Sequence, residues 1–259
     1  MPKKAETEEK QVIEPTDEEK VEVVKVSEEV EQWQPRTETG RLVKSKSLTD
    51  IAQIIDGGKP ILEPEIVDML IPGMESDLLM IGQSKGKFGG GSRRVFRQTQ
   101  KKTKEGNKPK FATYAVVGNR DGFVGLGFGK AKETVPAREK ALRRAKLNVV
   151  RILRGCGSWA CNCRTPHSIP FSVTGKCGSV TIELKPAPKG TGLKAEKEIA
   201  KILALAGIKD IWSKTRGQTR NKLNVVEAVK DALNKLNSTK RQERHKESLA
   251  ITSGNIKKE

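Results

Sequence analysis

Across 259 residues the chain carries 50 Lys and Arg against 32 Asp and Glu, a formal net charge of +18, and only 4 % of it is aromatic. That length allows one or two domains with cores of their own, which excludes a coreless tail protein, and the scarcity of rings argues against recognition by serial base stacking. No apolar run approaches the roughly 20 residues of a bilayer span and MPKKAETEEK has no apolar signal core, so we expect a soluble, cytoplasmic protein with no membrane partner and a polyanion, nucleic acid first, as the source of the charge bias.

The charge is uneven. Residues 1–32 hold eleven acids and five lysines, a net −6, which leaves +24 for the remainder. Residues 1–45 read as an acidic extension that stays disordered. SLTDIAQIIDGG and PEIVDMLIPG each end in glycine and read as short helices. Next, residues 84–110 place Lys85, Lys87, Arg93, Arg94, Arg97, Lys101 and Lys102 beside consecutive glycines with one acid, Glu105. A charge run is usually a solvated face, but this one reads as an extended, mobile arm for nucleic acid. FATYAVVGN and FVGLGFG are strands joined at NRDG, with Gly122 supplying a positive φ.

TVPAREKALRRAKLNVVRILR predicts a helix over 134–154, with Pro136 in the first turn and Gly155 past the end. Ala141, Leu142, Ala145, Val149, Ile152 and Leu153 share one side of it. Lys140, Arg143, Arg144, Lys146, Arg151 and Arg154 share the other and are expected to be free for phosphates, whereas Leu147 and Val150 break the pattern by falling among them. The order of helix, basic loop, strands and basic helix over residues 46–160 is that of a double-stranded-RNA-binding-like fold.

A second unit spans 161–238. HSIPFSV and GSVTIELK are strands joined through TGKCG, AEKEIAKILALAG is a helix stopped by Gly207, IKDIWSK is a short strand, TRGQTRN a basic loop with Arg216, and NVVEAVKDALNKL a helix. The class is α+β, ending in a βαβα domain. Residues 239–259 read as a mobile charged tail.

GLGFGK, at 125–130, imitates a nucleotide loop and fails both templates. Val124 and Ala131 stand where a P-loop needs glycine and Ser or Thr, and Lys130 stands where a dinucleotide fingerprint needs glycine. What remains is alternation, which puts Gly125, Gly127 and Gly129 on one bare strand face, open to a packed helix or to a ribose-phosphate chain, with Leu126 and Phe128 toward the core. Lys130 and Lys132 at the strand end favour RNA for themselves. Cys156, Cys161, Cys163 and Cys177, spaced C-x4-C-x-C-x13-C, suit a tetrahedral zinc site or four free thiols in a reducing compartment, and the spacing leaves both open. His167, between Pro166 and Ser168 at a strand start, is a candidate ligand as well but in such a place is more often a structural hydrogen-bonder, and Glu183 reads as the partner of a neighbouring cation. No nucleophile and base pair stands out, so no enzyme and no small-molecule substrate is expected.

VVGNRDGFVGLGFGKAKE, RGCGSWACNCRTPHSIPF, VTGKCGSVTIELKPAPKGTGL and AGIKDIW closely resemble the universal ribosomal small-subunit protein five family in its archaeal form, over about residues 45–236. The resemblance implies two domains on small-subunit rRNA near the channel through which mRNA enters. It also implies small-subunit proteins three, four and eight as neighbours, and a part in subunit assembly and decoding accuracy. It places an rRNA-reaching loop on Ser92 to Phe96, a glycine strand with its lysines on Gly125 to Lys132, and a loop that meets RNA or protein through Lys189 on residues 186–192. The long arm at 99–109, the KAEKE segment and the acidic N-terminus depart from the family pattern. A small-molecule kinase, whose fold type resembles the second domain, needs a nucleotide loop that is missing here; a free assembly factor is the other rival.

Overall fold

The computed structural model describes residues 33–83, 91–240 and 242–254. Ordered structure begins inside the segment expected to be disordered. Helix α1 (Glu38–Lys44) is capped by Thr37, whose hydroxyl accepts the Gly40 N–H at 3.1 Å, and it buries Val43. A polar composition hid this helix because its cap and one apolar residue carry it. Helices α2 (Ile51–Asp56) and α3 (Glu65–Leu70) follow as expected and bury Ile51, Ile54, Ile66 and Val67.

Strand β1 (Glu75–Leu79) leads to β2 (Gly82–Gln83), which pairs with β3 (Arg93–Arg94). Beyond β3 the arm is a regular ribbon. Strand β4 (Arg97–Thr103) pairs in full antiparallel register with the outer half of β5 (Gly106–Gly118), from Arg97 opposite Ala112 to Thr103 opposite Gly106. The expected mobile arm is therefore corrected from residue 97 onward, and Lys85 and Lys87 lie outside the described residues. The inner half of β5 pairs with β1 on one side and, across the Asn119–Gly122 turn, with β6 (Phe123–Ala131) on the other. In that turn Asn119 Oδ1 accepts the N–H groups of Asp121 and Phe123 at 2.9 and 3.0 Å, and Gly122 has φ 94° as the sequence requires.

Helix α4 (Thr134–Leu147) ends seven residues before the predicted limit. Asn148 closes it, its N–H reaching Ala145 O and Arg144 O. The next residues extend as β7 (Val149–Arg151) against β6 and as β8 (Leu153–Arg154). Val149 and Val150 are β-branched and fill the last edge of the sheet, a tertiary pairing that overrides helix periodicity. The N-terminal sheet thus runs β1-β5-β6-β7, with β4 also on β5.

The second sheet is β11-β12-β10-β9, built from β9 (Val173–Cys177), β10 (Val180–Pro186), β11 (Leu193–Lys194) and β12 (Ile211–Arg216). The β9–β10 reversal is at Gly178, φ 59°, so TGKC belongs to a strand and the first strand starts later than HSIPFSV suggested. Helices α5 (Lys197–Leu205) and α6 (Lys222–Ser238) cover it. Gly207, φ 81°, ends α5 as expected.

One apolar core joins the two sheets. Leu79, Tyr114, Val116, Val124 and Leu126 from the first sheet pack with Val180, Ile182, Leu184, Ile199, Ile202 and Val229 from the second layer. Burial of side chains of this size is worth about 1.5–3 kcal/mol each. Polar ties cross the same junction: Met80 N donates to Glu198 at 2.8 Å, Arg120 N to Leu205 O at 2.9 Å, and Tyr114 Oη to Glu227. Burial, with Glu227 accepting its proton, pushes the Tyr114 phenol far above its ordinary range.

Among the described residues the tail beyond α6 is folded as far as Gly254, where a mobile tail was expected. Helix α7 (Arg244–Ser248) and β13 (Thr252–Ser253) return to the first half of the chain, where β13 pairs with β8. Leu249 O accepts the Cys156 N–H at 2.8 Å, and Gly254 O accepts from buried Arg154 at 3.0 Å.

Candidate nucleic-acid interface and thiolate cluster

The bare strand face belongs to α4. A Cβ on Gly125, Gly127 or Gly129 would lie 2.1–2.2 Å from the carbonyl oxygens of Ala145, Ala141 and Ala137 respectively. Helix and strand backbones are in contact there, so no phosphate enters, and of the two occupants the sequence allowed, the structure takes the helix. Leu126 and half-buried Phe128 face the shared core, as expected.

The basic residues sort by that same alternation. Opposite residues of an antiparallel pair share a face, which sets Arg97, Lys101, Lys108, Lys110 and Lys130 on one side of the β4–β5–β6 ribbon. All five are exposed, as is Lys102 on the other side, and Glu105 pairs with Lys108 at 2.7 Å. At the root of the ribbon is a cleft of about 890 Å³ whose lining includes Arg93, Arg94, Arg97, Phe96, Arg220 and Lys222, with no acid among its lining residues. Lys222 is paired with Glu196, so among the described residues the arginines are its open cations. Arg220 was missed as a site residue although TRGQTRN was read as a basic loop; nothing local distinguishes it from Arg216, which is exposed at the end of β12. Lys132 and Lys189 are exposed on loops.

The α4 face is less free than its sequence suggested. Arg143 and Arg144 are exposed, but Lys146 pairs with Asp68 of α3 at 2.7 Å, and Arg144 Nη1 donates to Phe128 O at 2.9 Å. Arg151, carried by β7, pairs with Asp56 at 2.8 Å, and Arg154 is buried against Asp121 at 2.6 Å. Glu183 takes Lys185 at 3.2 Å, the neighbouring cation expected for it.

The cysteines divide three to one. Cys156, Cys161, Cys163 and His167 bring their ligand atoms within 4.8 Å of one another, while Cys177 stands apart in β9 against the shared core. The expected four-cysteine set is therefore corrected: strand alternation and pairing carry Cys177 away, and the fold of residues 157–166 delivers His167 instead. The Cys156 and Cys163 sulfurs are 3.6 Å apart, and Cys161 Sγ lies 3.8 Å from His167 Nε2. Metal–sulfur bonds of about 2.3 Å in a tetrahedron give edges of about 3.8 Å, so this Cys3His cluster fits a metal ion of that kind. His167 is a hydrogen-bonder too, its Nδ1 2.8 Å from Asp210 Oδ2. Burial pushes the Cys156 thiol up to about 11, whereas the Thr165 hydroxyl, 3.0 Å away, holds Cys163 down at about 6. Trp159 stands on the connecting loop with 96 % of its surface exposed.

Comparison with known proteins decides the family. The description "Ribosomal protein S5, N-terminal domain" matches residues 95–153 and "Ribosomal protein S5, C-terminal domain" matches 175–246. The chain belongs to the ribosomal protein S5 family. It is 48 % identical over 227 residues to the small ribosomal subunit protein uS5 of Nanoarchaeum equitans, covering 88 % of this chain and 97 % of that one. Against uS5 of Methanocaldococcus jannaschii the figures are 47 % over 227 residues, 88 % and 98 %. Against uS5 of Pyrobaculum aerophilum they are 48 % over 201 residues, 78 % and 85 %. An S5-family chain is a structural, RNA-binding ribosomal protein of translation and not an enzyme, and its relatives here are archaeal. The resemblance read from the motifs is thereby established over most of the chain.

Proposed function

We propose that the chain is a structural constituent of the small ribosomal subunit, in the cytoplasm, that holds small-subunit rRNA in the arginine cleft and along the basic face of the β4–β5 ribbon. The carrying observation is that cleft: Arg93, Arg94, Arg97 and Arg220 converge beside Phe96 with no acid in its lining. Arginine forks suit phosphate pairs, and so many cations left without acids destabilise the free protein unless a polyanion meets them. The N-terminal sheet with α4 serves as the double-stranded-RNA-binding-like unit, and Lys130, Lys132, Arg143, Arg144, Lys189 and Arg216 add backbone contacts at its margins, as do Lys85 and Lys87 in the segment outside the described residues. The family resemblance supports a place beside the channel through which mRNA enters, next to small-subunit proteins three, four and eight, with effects on assembly and decoding accuracy. Zinc at the Cys3His cluster is the cofactor of this reading, as a structural ion.

The test is reconstitution. Arg93→Glu with Arg94→Glu is expected to lower incorporation into small subunits and, in particles that form, to raise miscoding. A purified double variant that still binds small-subunit rRNA with wild-type affinity and an unchanged salt slope overturns the cleft assignment, since each lost phosphate contact removes about one unit of that slope.

A further inference from the structure

The loop at 187–192 is tied at its two ends to Ser168 and Asp210, and Asp210 in turn holds the histidine of the thiolate cluster. At its start Ala187 N donates to Ser168 Oγ at 3.3 Å. At its end Gly192 N donates to Asp210 Oδ1 at 2.8 Å, while the other oxygen of the same carboxylate lies 2.8 Å from His167 Nδ1. His167 O in turn accepts the N–H groups of Lys209 and Asp210 at 2.8 and 3.1 Å. The side chains of His167 and Asp210 are only 5 % and 6 % exposed, so neither has water as an alternative partner. Among the six loop residues, Gly190 and Gly192 have positive φ, 89° and 72°, and Lys189 is exposed at the tip.

We infer that Asp210 is a positioning residue that couples metal binding at Cys156, Cys161, Cys163 and His167 to the shape of the 187–192 loop, so that the metal-loaded protein presents Lys189 in one conformation and the metal-free protein does not. The inference rests on the zinc reading above. A carboxylate can only accept at Nδ1, so the imidazole proton sits on Nδ1 and the Nε2 lone pair points at the thiolates, the tautomer a metal needs. The carboxylate thereby has one oxygen committed to the ligand ring and one to the loop. A ring held by a metal holds Asp210, and Asp210 holds Gly192. Without the metal, the ring keeps the carboxylate and only a 3.8 Å contact of Nε2 with Cys161 Sγ in place of a metal bond, and the anchor of the glycine-rich loop is loosened.

The experiment uses the full chain and reads zinc content by elemental analysis, together with amide hydrogen exchange at Ala187, at Gly192 and, as internal reference, in β5. Zinc affinity is read by competition with a chromogenic chelator. One equivalent of zinc is expected, and its removal is expected to speed exchange at Gly192 about ten-fold or more with β5 unchanged. Asp210→Asn still offers an oxygen to Gly192 but turns an amide N–H toward Nδ1; it is expected to weaken zinc about 10- to 100-fold, as loss of such an outer partner does elsewhere. Less than a tenth of an equivalent in freshly purified protein sinks the zinc reading itself. Zinc present with exchange at Gly192 indifferent to its removal overturns the coupling alone, as does acceleration that is equal in β5 and in the loop, which makes the metal a brace for the whole fold. Wild-type zinc affinity in Asp210→Asn overturns the role of Asp210.

Discussion

Replacing Gly127 by alanine tests the seam between β6 and α4. The added Cβ would lie 2.2 Å from both Ala141 O and Ala145 N, where ordinary contact begins at 3.4 Å, so α4 must retreat by about 1.2 Å. Neither atom is the movable end of a side chain. Ala137, Ala141 and Ala145 are fully buried along this seam, and a gap of 0.5–1 Å already forfeits about a quarter to a half of a dispersion contact. Overpacking ordinarily costs about 1–3 kcal/mol; with backbone on both sides the cost belongs at the upper end, about 3 kcal/mol. At roughly 2–4 °C per kcal/mol for a chain of this size, Tm falls by roughly 6–12 °C. Thermal unfolding by circular dichroism measures it, with exposed Lys130→Ala on the same strand as the control that leaves Tm within about 2 °C. If Gly127→Ala kept the wild-type Tm and lost RNA affinity instead, the helix seam would be wrong and the glycine face would be an RNA groove after all.

Other outcomes follow from charge and thiol chemistry. In metal-free protein at pH 7, Cys163, held at about 6, is about nine-tenths thiolate and is alkylated first, whereas Cys156, pushed up to about 11, stays a thiol; mass mapping after brief iodoacetamide treatment reads the order, and equal labelling contradicts it. The depressed Cys163 value also means that its contribution to stability is present above the ordinary thiol range and is lost as pH falls through about 6, while the raised Cys156 value makes stability fall as pH climbs through about 11; chemical denaturation of the metal-free form across pH 5–11 follows both limbs. Asp121→Ala leaves Arg154 buried without its carboxylate and is expected to cost about 3–5 kcal/mol by urea denaturation, and a loss below about 1 kcal/mol refutes a structural pair. Deleting residues 242–254 removes β13 and the Leu249 carbonyl that holds Cys156 N, so protease cleavage in 155–166 is expected to quicken; unchanged cleavage means the tail is incidental.

Strand alternation and turn chemistry were legible from local sequence because period two and the NRDG turn are short-range signals: Gly122, Gly207 and the inward Leu126 all stand where the pattern put them. The helix was overdrawn for a physical reason. Val149, Ile152 and Leu153 happen to continue the apolar stripe of α4, yet Val149 is buried on the strand that pairs with β6, Ile152 in the shared core and Leu153 on the strand that pairs with β13, and the misfits Leu147 and Val150 mark the place where the period changes. At the candidate site, residue type was readable and membership was not. Cys177 is near the other cysteines in sequence and is carried away by β9, whereas His167 is brought in by a loop and fixed by Asp210, 43 residues on. Likewise Arg220 joins Arg93 only because the two sheets share a core, a relation that no local motif contains.

The pairing of β13 with β8 has a consequence for the order of events in synthesis. Thr252 and Ser253 close on residues made about a hundred positions earlier, and Leu249 backs the first cysteine of the cluster. That pairing can form only once residues 252 and 253 exist, so the backing of the thiolate loop waits on a contact of high sequence separation, the slowest kind to form.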